Sequence, residues 1–282
     1  MPYGLQRLRR SDIGELVGLL EEKPLHNIFL LSRLVDSGFN IERLGCPVYG
    51  FWRNGCLSAV CHDGNNIVLA TRQETLSEAE TSSFVNRLGP IRNASAIMGT
   101  SQNVELVFTE LSLKWPASWA RPRDIRQPQL LLAINQPSNI EPDDRVFRVS
   151  RSYFRPYFEA AVKMYTEELG QSPLDGHNSY QHYVSSLINQ QRAFGAYHRG
   201  LVWFKTDIGC RYKRFCQIQG VWLDPALRGK KIAARAMAQV LKLCETEYDV
   251  VSLYVNHYNT KARKLYASLG FHEVGSLATV LY

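Results

Sequence analysis

The run VWLDPALRGKKIAA, residues 221–234, has residue types in an order that suits phosphate binding. Arg228, Gly229, Lys230 and Lys231 stand directly ahead of a segment in which Ile232, Ala236, Val240 and Leu243 recur at helical spacing. A helix that starts there leaves its first N–H groups unpaired and turns the positive end of its dipole toward the loop. Amides and dipole together then hold an anion. Gly229 lets the backbone come close, and the three cations add charge. A solvated helix start with surface cations has the same composition, so this run does not decide the matter alone.

A second segment, VVSLYVNHYNTKARKLYASLGF at 250–271, reads as a β-branched strand over Val250–Val255, followed by a turn that holds Asn256 and Asn259. A helix from about Thr260 to Ser268 comes next, stopped by Leu-Gly-Phe. Tyr266 sits at helical spacing from Ala262 and Leu269, which suits a core aromatic as well as a group facing a site.

These segments need elements to hold them. CQIQGVWL at 216–223 alternates as a strand, and Asp224-Pro225 ends it because proline cannot donate to a ladder. Upstream, NQPSNIEPDD at 135–144 follows the apolar run QLLLAI and marks a junction. On each side the order is similar. Residues 5–9 form a strand, Ser11 caps a helix through Leu20, and a second helical piece covers 26–36; in the second half the counterparts are Val146–Val149, a helix to about Leu169, and 178–190. Alternating runs with the turn dipeptides Asn54-Gly55 and Arg199-Gly200 then suit hairpins. The expected class is α+β, a mixed α/β arrangement. Residues 1–140 and 141–282 form a tandem of domains, each with a central mixed, mostly antiparallel sheet flanked by helices. Two unrelated α+β domains with a coincidental order are the alternative.

The 282 residues are 45% hydrophobic and 21% charged, the usage of a chain with a real core rather than a disordered or membrane-embedded one. The longest apolar runs fall far short of a bilayer span, and MPYGLQRLRRSDIGE has no export-signal pattern. The six cysteines include no C-x-x-C pair, which fits reduced thiols in a cytoplasmic protein better than disulfides or a zinc site. The net charge is +7, distributed unevenly: residues 1–140 hold 14 basic and 13 acidic residues, and 141–282 hold 19 and 13. The second half therefore attracts anions. Its cations are interleaved with acids and no nucleic-acid motif is present, which speaks against nucleic acid as the partner.

Taken together, the two segments resemble the GNAT superfamily of acyl-CoA-dependent N-acyltransferases. That family's loop pattern, [RQ]-x-x-G-x-[GA], follows a strand ending V-x-P, and residues 221–233 here read VWLDPALRGKKIA. Its second signature is matched by Asn259, Ala262, Leu265, Tyr266, Gly270 and Phe271. Over most of the chain, EELGQSP, VSLYVNHYN and ATVLY are similar to actinobacterial two-domain members whose N-terminal half is a domain of unknown function. Lys231 departs from the family's central loop glycine; at a positive φ a side chain there is costly, whereas a helical conformation simply adds a cation.

The resemblance implies tandem GNAT-like domains, with 141–282 catalytic and 1–140 degenerate, walling or capping an acceptor cleft. It implies acetyl-CoA as cofactor, with the backbone of Val221, Trp222 and Leu223 receiving the pantetheine arm. Gly229, Lys230, Lys231, Ala233 and Ala234, with Arg228, would grip the pyrophosphate, and Asn256, Asn259, Ala262 and Tyr266 would complete the cofactor site. Tyr266 takes the position of the family's acid, which returns a proton to the leaving thiolate. The base is poorly marked. Gln217 and Gln219 stand where many members carry a strand-four Glu, so the candidates are a water polarised by Gln219 and the carboxylates of Glu167 and Glu168. No metal is expected, and the partners are acyl-CoA and an amine acceptor. In TRQETLSEAE the N-terminal half has acids where a phosphate would bind. A non-catalytic acyl-CoA sensor is the competing reading.

Overall fold

A computed structural model describes residues 3–282. The chain folds as two compact units. The first comprises the chain up to Leu131 with Tyr254–Asn259 and Glu273–Tyr282, and the second Leu132–Leu253 with Thr260–His272. The sequence boundary near 140 assumed one crossing between contiguous halves; the chain crosses repeatedly because its last strand joins the first unit's sheet.

The order of elements is the same twice, except that a short helix at Pro116–Trp119 occurs only in the first pass. First come β1 (Gly4–Arg7), α1 (Ile13–Glu21), α2 (Ile28–Asp36), β2 (Val48–Arg53), β3 (Cys56–His62), β4 (Asn66–Thr71), α3 (Glu78–Leu88), β5 (Ala96–Thr100), α4 (Ser101–Lys114), a short α5 (Pro116–Trp119) and β6 (Asp124–Ile134). The second pass is β7 (Phe147–Arg148), α6 (Phe154–Leu169), α7 (Ser179–Asn189), β8 (Ala193–His198), β9 (Leu201–Tyr212), β10 (Phe215–Leu223), α8 (Ile232–Cys244), β11 (Val250–Asn256), α9 (Thr260–Leu269) and β12 (His272–Leu281).

In the first unit β1 to β4 form an antiparallel meander, β5 joins β4 in parallel, and β12 pairs antiparallel with β5 through Leu277–Thr100 to Leu281–Ala96. Ile67, Phe84, Ile97, Val104 and Trp119 fill the core against Ala278 and Val280 of β12. In the second unit β7, β8, β9 and β10 are antiparallel, and β11 joins β10 in parallel. Each unit therefore has one parallel pair, reached by one crossover helix, α3 or α8.

Helix α8 shows why its sequence folds so. Ala236, Met237, Val240, Leu241 and Cys244 fall on one buried stripe, and burial of Met237, Val240 and Leu241 stabilises by about 1.5–3 kcal/mol each. The opposite face carries Arg235 and Lys242, both solvated. Among the described residues no helix is long and apolar enough to cross a membrane.

Candidate functional site

Strand β10 is irregular where the sequence pattern places the cofactor. Its parallel ladder with β11 consists of Phe215–Val250, Cys216–Val251 and Gln217–Ser252, and from Ile218 onward the register with β11 ends. On its other side the register with β9 shifts between Gln219 and Trp222, so that one extra residue of β10 bulges out around Gly220 and Val221. Gly220 has φ +59°, and a Cβ there would lie 3.1 Å from both Lys205 Nζ and Met164 Cε. Glycine is thus favoured by conformation, and a side chain there would need Lys205 Nζ and Met164 Cε to give by a few tenths of an ångström.

Beneath that bulge lies a buried polar network. Lys205 and Asp207 on β9 are 0% and 4% exposed and form an ion pair, and the Tyr157 hydroxyl of α6 donates to Asp207 Oδ1. Burial, then the Asp207 charge, pushes the Tyr157 phenol well above its usual range, so it remains a donor. Thr206 Oγ1 donates to the Gln219 carbonyl at 2.9 Å. Sequence reasoning missed this network. The available signal was two charges two residues apart in the otherwise apolar strand VWFKTDIG, a pattern that puts both on one face and is costly unless they meet.

After β10, Asp224 caps a single 3-10 turn by accepting from the Ala226 amide at 2.9 Å. Gly229 follows with φ +81° and open space where a Cβ would stand. Lys231 then takes φ +58° as the N-cap of α8. The Lys231 side chain makes no capping hydrogen bond and no acid lies in the first turn, so the amides that begin at Ile232, including those of Ala233 and Ala234, meet no carboxylate from that turn. Arg228, Lys230 and Lys231 are exposed around them. The first unit is the reverse. At α3 Ser77 Oγ accepts from the Glu80 amide and Glu80 Oε2 accepts from the Ser77 amide at 2.8 Å, which fills the anion seat with the chain's own carboxylate.

Several predicted residues have partners within the protein. Arg228 directs its guanidinium at Glu167: Nη1 and Nη2 donate to Oε1 and Oε2, the latter at 2.9 Å, while Nε donates to the Leu223 carbonyl at 3.0 Å. Trp222 Nε1 also donates to Glu167 Oε2 at 3.1 Å. The Arg228 hydrogen bonds first, and the Trp222 bond with them, hold the Glu167 carboxyl below its usual range. Glu167 is thus the counter-ion of Arg228, and a carboxylate held low is a weaker proton acceptor. Arg228 in turn pairs with a protein carboxylate through an exposed ion pair and keeps two further N–H donors.

The Gln219 amide donates to the Tyr183 hydroxyl and its side chain covers Gly209. Val221 is half-buried, while Trp222 and Leu223 are buried. Tyr266 on α9 is buried edge-on against Phe271, and burial first, then the charge of Glu168, pushes its phenol up. Glu168 and Tyr266, 98 positions apart, are thus electrostatic neighbours, whereas Ala262 is half-buried one turn before Tyr266. In the first unit Asn256 accepts from Gln129 Nε2 at 3.0 Å and donates to the Tyr258 hydroxyl at 2.8 Å. Each end of that amide therefore has one protein partner, which ties the side chain to the turn and leaves one further donor and one further acceptor site. Asn259 closes the same turn, its N–H donating to the Asn256 carbonyl at 2.9 Å.

The acetyltransferase (GNAT) family model matches residues 150–271. Those residues are thus similar to the GNAT family. A second model, DUF4081, a domain of unknown function, matches 46–157. Solved structures share the fold along the whole chain. A GNAT-family acetyltransferase from Colwellia psychrerythraea is 14% identical with TM-score 0.59, covering 99% of this chain and 100% of that one. A GCN5-related N-acetyltransferase from Sphaerobacter thermophilus is 14% identical with TM-score 0.63, covering 98% and 95%. A tandem GNAT protein from the clavulanic acid biosynthesis pathway is 10% identical with TM-score 0.55, covering 98% of each. A search of curated proteins gives no match. The fold is thus mixed α/β with GNAT neighbours, among them a tandem, and the chemistry of the family is acyl transfer.

Proposed function

We propose that the chain is a cytoplasmic N-acyltransferase that moves an acetyl group from acetyl-CoA to a primary amine by direct attack in a ternary complex. In this reading 141–282 is the catalytic GNAT domain and 1–140 a degenerate one. The observation that carries it is the uncapped N-terminus of α8, set behind a glycine at φ +81° and directly after a strand that bulges and leaves its parallel neighbour. Such a seat suits a diphosphate, and the irregular edge of β10 suits a pantetheine amide pairing as an added strand.

When bound, acetyl-CoA supplies an acyl group activated as a thioester. The chain's residues do the rest. Amides from Gly229 to Ala234, with Lys230 and Lys231, hold the diphosphate, and the main chain of Val221 to Leu223 aligns the arm. The Val221 amide stabilises the developing oxyanion. Glu168 takes the proton that the attacking amine must lose, and Tyr266, kept protonated by its surroundings, returns one to the departing thiolate. The Lys205–Asp207–Tyr157 network fixes the bulge by holding β9 and α6 beneath it.

Release of free thiol from acetyl-CoA with a panel of amines and peptides tests the reading. Tyr266→Phe should lower turnover with little change in coenzyme affinity, and unchanged turnover removes Tyr266 as the acid. A second reading, a non-catalytic acyl-CoA sensor, is favoured by one observation: the strand-four positions are Gln217 and Gln219, and neighbouring Glu167 is paired with Arg228. Calorimetric binding of coenzyme A without turnover on any amine would select it.

A further inference from the structure

Outside the region used above, the first unit contains a paired thiol and imidazole at the edge of a cavity. Cys46 lies just before β2 and His62 ends β3, where the antiparallel register sets Val48 opposite His62 and the Asp63 amide donates to the Pro47 carbonyl at 2.9 Å. That pairing brings Cys46 Sγ to 2.9 Å from His62 Nε2 across 16 positions of sequence. His62 Nδ1 lies 3.2 Å from the Asn66 carbonyl, an acceptor, so Nδ1 carries the proton and the Nε2 lone pair faces the thiol. The other contact of the thiol, the Leu44 carbonyl, is longer at 3.5 Å and already accepts from Arg33 Nη2 at 2.7 Å. The S–H therefore points to the imidazole.

Two further observations make this more than a buried pair. A Cβ at position 64 would stand 2.8 Å from both Cys46 Sγ and His62 Cε1, so glycine at that position leaves the pair its room. Cys46 also lines a cavity of about 640 Å³ together with Arg7, Arg9, Glu42 and Gly45. His62 is 2% exposed and does not line the cavity, while Cys46 is half-buried and does. A thiol that lines a cavity, a base with a fixed tautomer beside it, and a net positive lining describe a nucleophile that meets an anionic electrophile.

We propose that Cys46 and His62 form a second acyl-accepting site, at which the Cys46 thiol takes the acyl group of a phosphate-bearing acyl thioester. In this step Sγ attacks the thioester carbonyl carbon while its proton passes to His62 Nε2. The bond from that carbon to the departing sulfur then breaks, and the departing thiolate recovers the proton from Nε2. The products are S-acyl-Cys46 and a free thiol, with no oxidant or metal in the balance. Burial raises the Cys46 thiol and lowers the His62 imidazole from their usual ranges, so the resting pair is neutral and the proton moves during attack. Arg7 and Arg9 hold the phosphate. The site lies wholly within the first unit and does not depend on the reading of the GNAT domain.

The full chain is incubated with acetyl-CoA, and the acetyl group is located by peptide mass spectrometry over time. Cys56, exposed on the same unit, serves as an internal reference thiol. Cys46 should be acetylated at least about tenfold faster than Cys56, a modest share of what a positioned base supplies. His62→Gln should bring Cys46 down to the rate of Cys56, and Gly64→Ala, which crowds both groups, should slow it without removing either. A phosphate-free acetyl thioester should react more slowly than acetyl-CoA in the wild type but not in Arg7→Ala/Arg9→Ala. The proposal is overturned if wild-type Cys46 reacts no faster than Cys56, a comparison that needs no variant to fold. It is also overturned if Tyr266→Phe abolishes labelling of Cys46, because the acyl group would then come from the GNAT site. Equal rates with the two thioesters remove Arg7 and Arg9 from the site.

Discussion

The ion pair beneath the β10 bulge offers a sharp energetic test. The side chains of Lys205 and Asp207 are 1% and 5% exposed, so neither charge can fall back on water if its partner is removed. Asp207→Asn leaves a buried ammonium over the Tyr157 ring and deprives the Tyr157 hydroxyl of a charged acceptor. Lys205→Met leaves a buried carboxylate held by Tyr157 alone. Each single change should cost about 3–5 kcal/mol, the loss typical of a broken buried pair. With roughly 2–4 °C per kcal/mol for a domain of this size, the melting temperature should fall by about 6–20 °C. The double variant Lys205→Met/Asp207→Asn removes both charges and should recover most of that loss, ending within about 2 kcal/mol of wild type. Urea unfolding followed by circular dichroism measures all three, with an unchanged slope as the sign that the denatured state is the same. Single changes worth less than about 1 kcal/mol, or a double variant that costs the sum of the singles, would refute the claim that the two charges are energetically coupled.

Three other outcomes are expected. Lys231→Gly removes a side chain from a left-handed N-cap and should raise stability by about 1 kcal/mol, read from the urea midpoint; a lower midpoint would mean that the lysine side chain is stabilising. Glu167→Gln should change stability by less than about 1 kcal/mol, since both partners are nearly half exposed, yet tighten coenzyme A binding severalfold in calorimetry by releasing Arg228; weaker binding would show that the pair positions the loop. Acidification should destabilise the first unit between about pH 6.5 and the lower folded values of its histidines. Burial, with Arg33 for His62 and Lys23 for His26, depresses both imidazoles, so below their ordinary pKa the unfolded chain binds more protons than the folded one. His62→Gln should flatten part of that slope, and a slope unchanged by the substitution would assign it elsewhere.

Local periodicity carried much of the fold. The start of α8, the strand before Asp224-Pro225 and the helix that holds Tyr266 were legible because each is a short pattern with its own stop signal. The repeated element order was legible for the same reason, and it suggested a tandem. The membership of β12 in the first unit was not legible, because pairing between Leu277–Leu281 and Ala96–Thr100 depends on a register across about 180 residues that no local pattern encodes.

The candidate site divides in the same way. Its loop, its glycine and its cations could be read directly, and so could the absence of a strand-four carboxylate, since each depends on residue type and near spacing. Whether Lys231 is helical or left-handed could not, because both suit a helix start, and the choice rests on how the loop closes onto α8. Which cations are free could not either: Arg228 meets Glu167 across 61 positions, Lys205 meets Asp207 only once the strand is buried, and Cys46 meets His62 only through the β2–β3 ladder. Sequence alone determined which groups the protein owns and where its helices begin, for these follow from short-range sterics and hydrogen bonding. Only the tertiary structure decided which charges are paired and which thiol has a base beside it. Those outcomes depend on the distances left after distant segments pack together and exclude water.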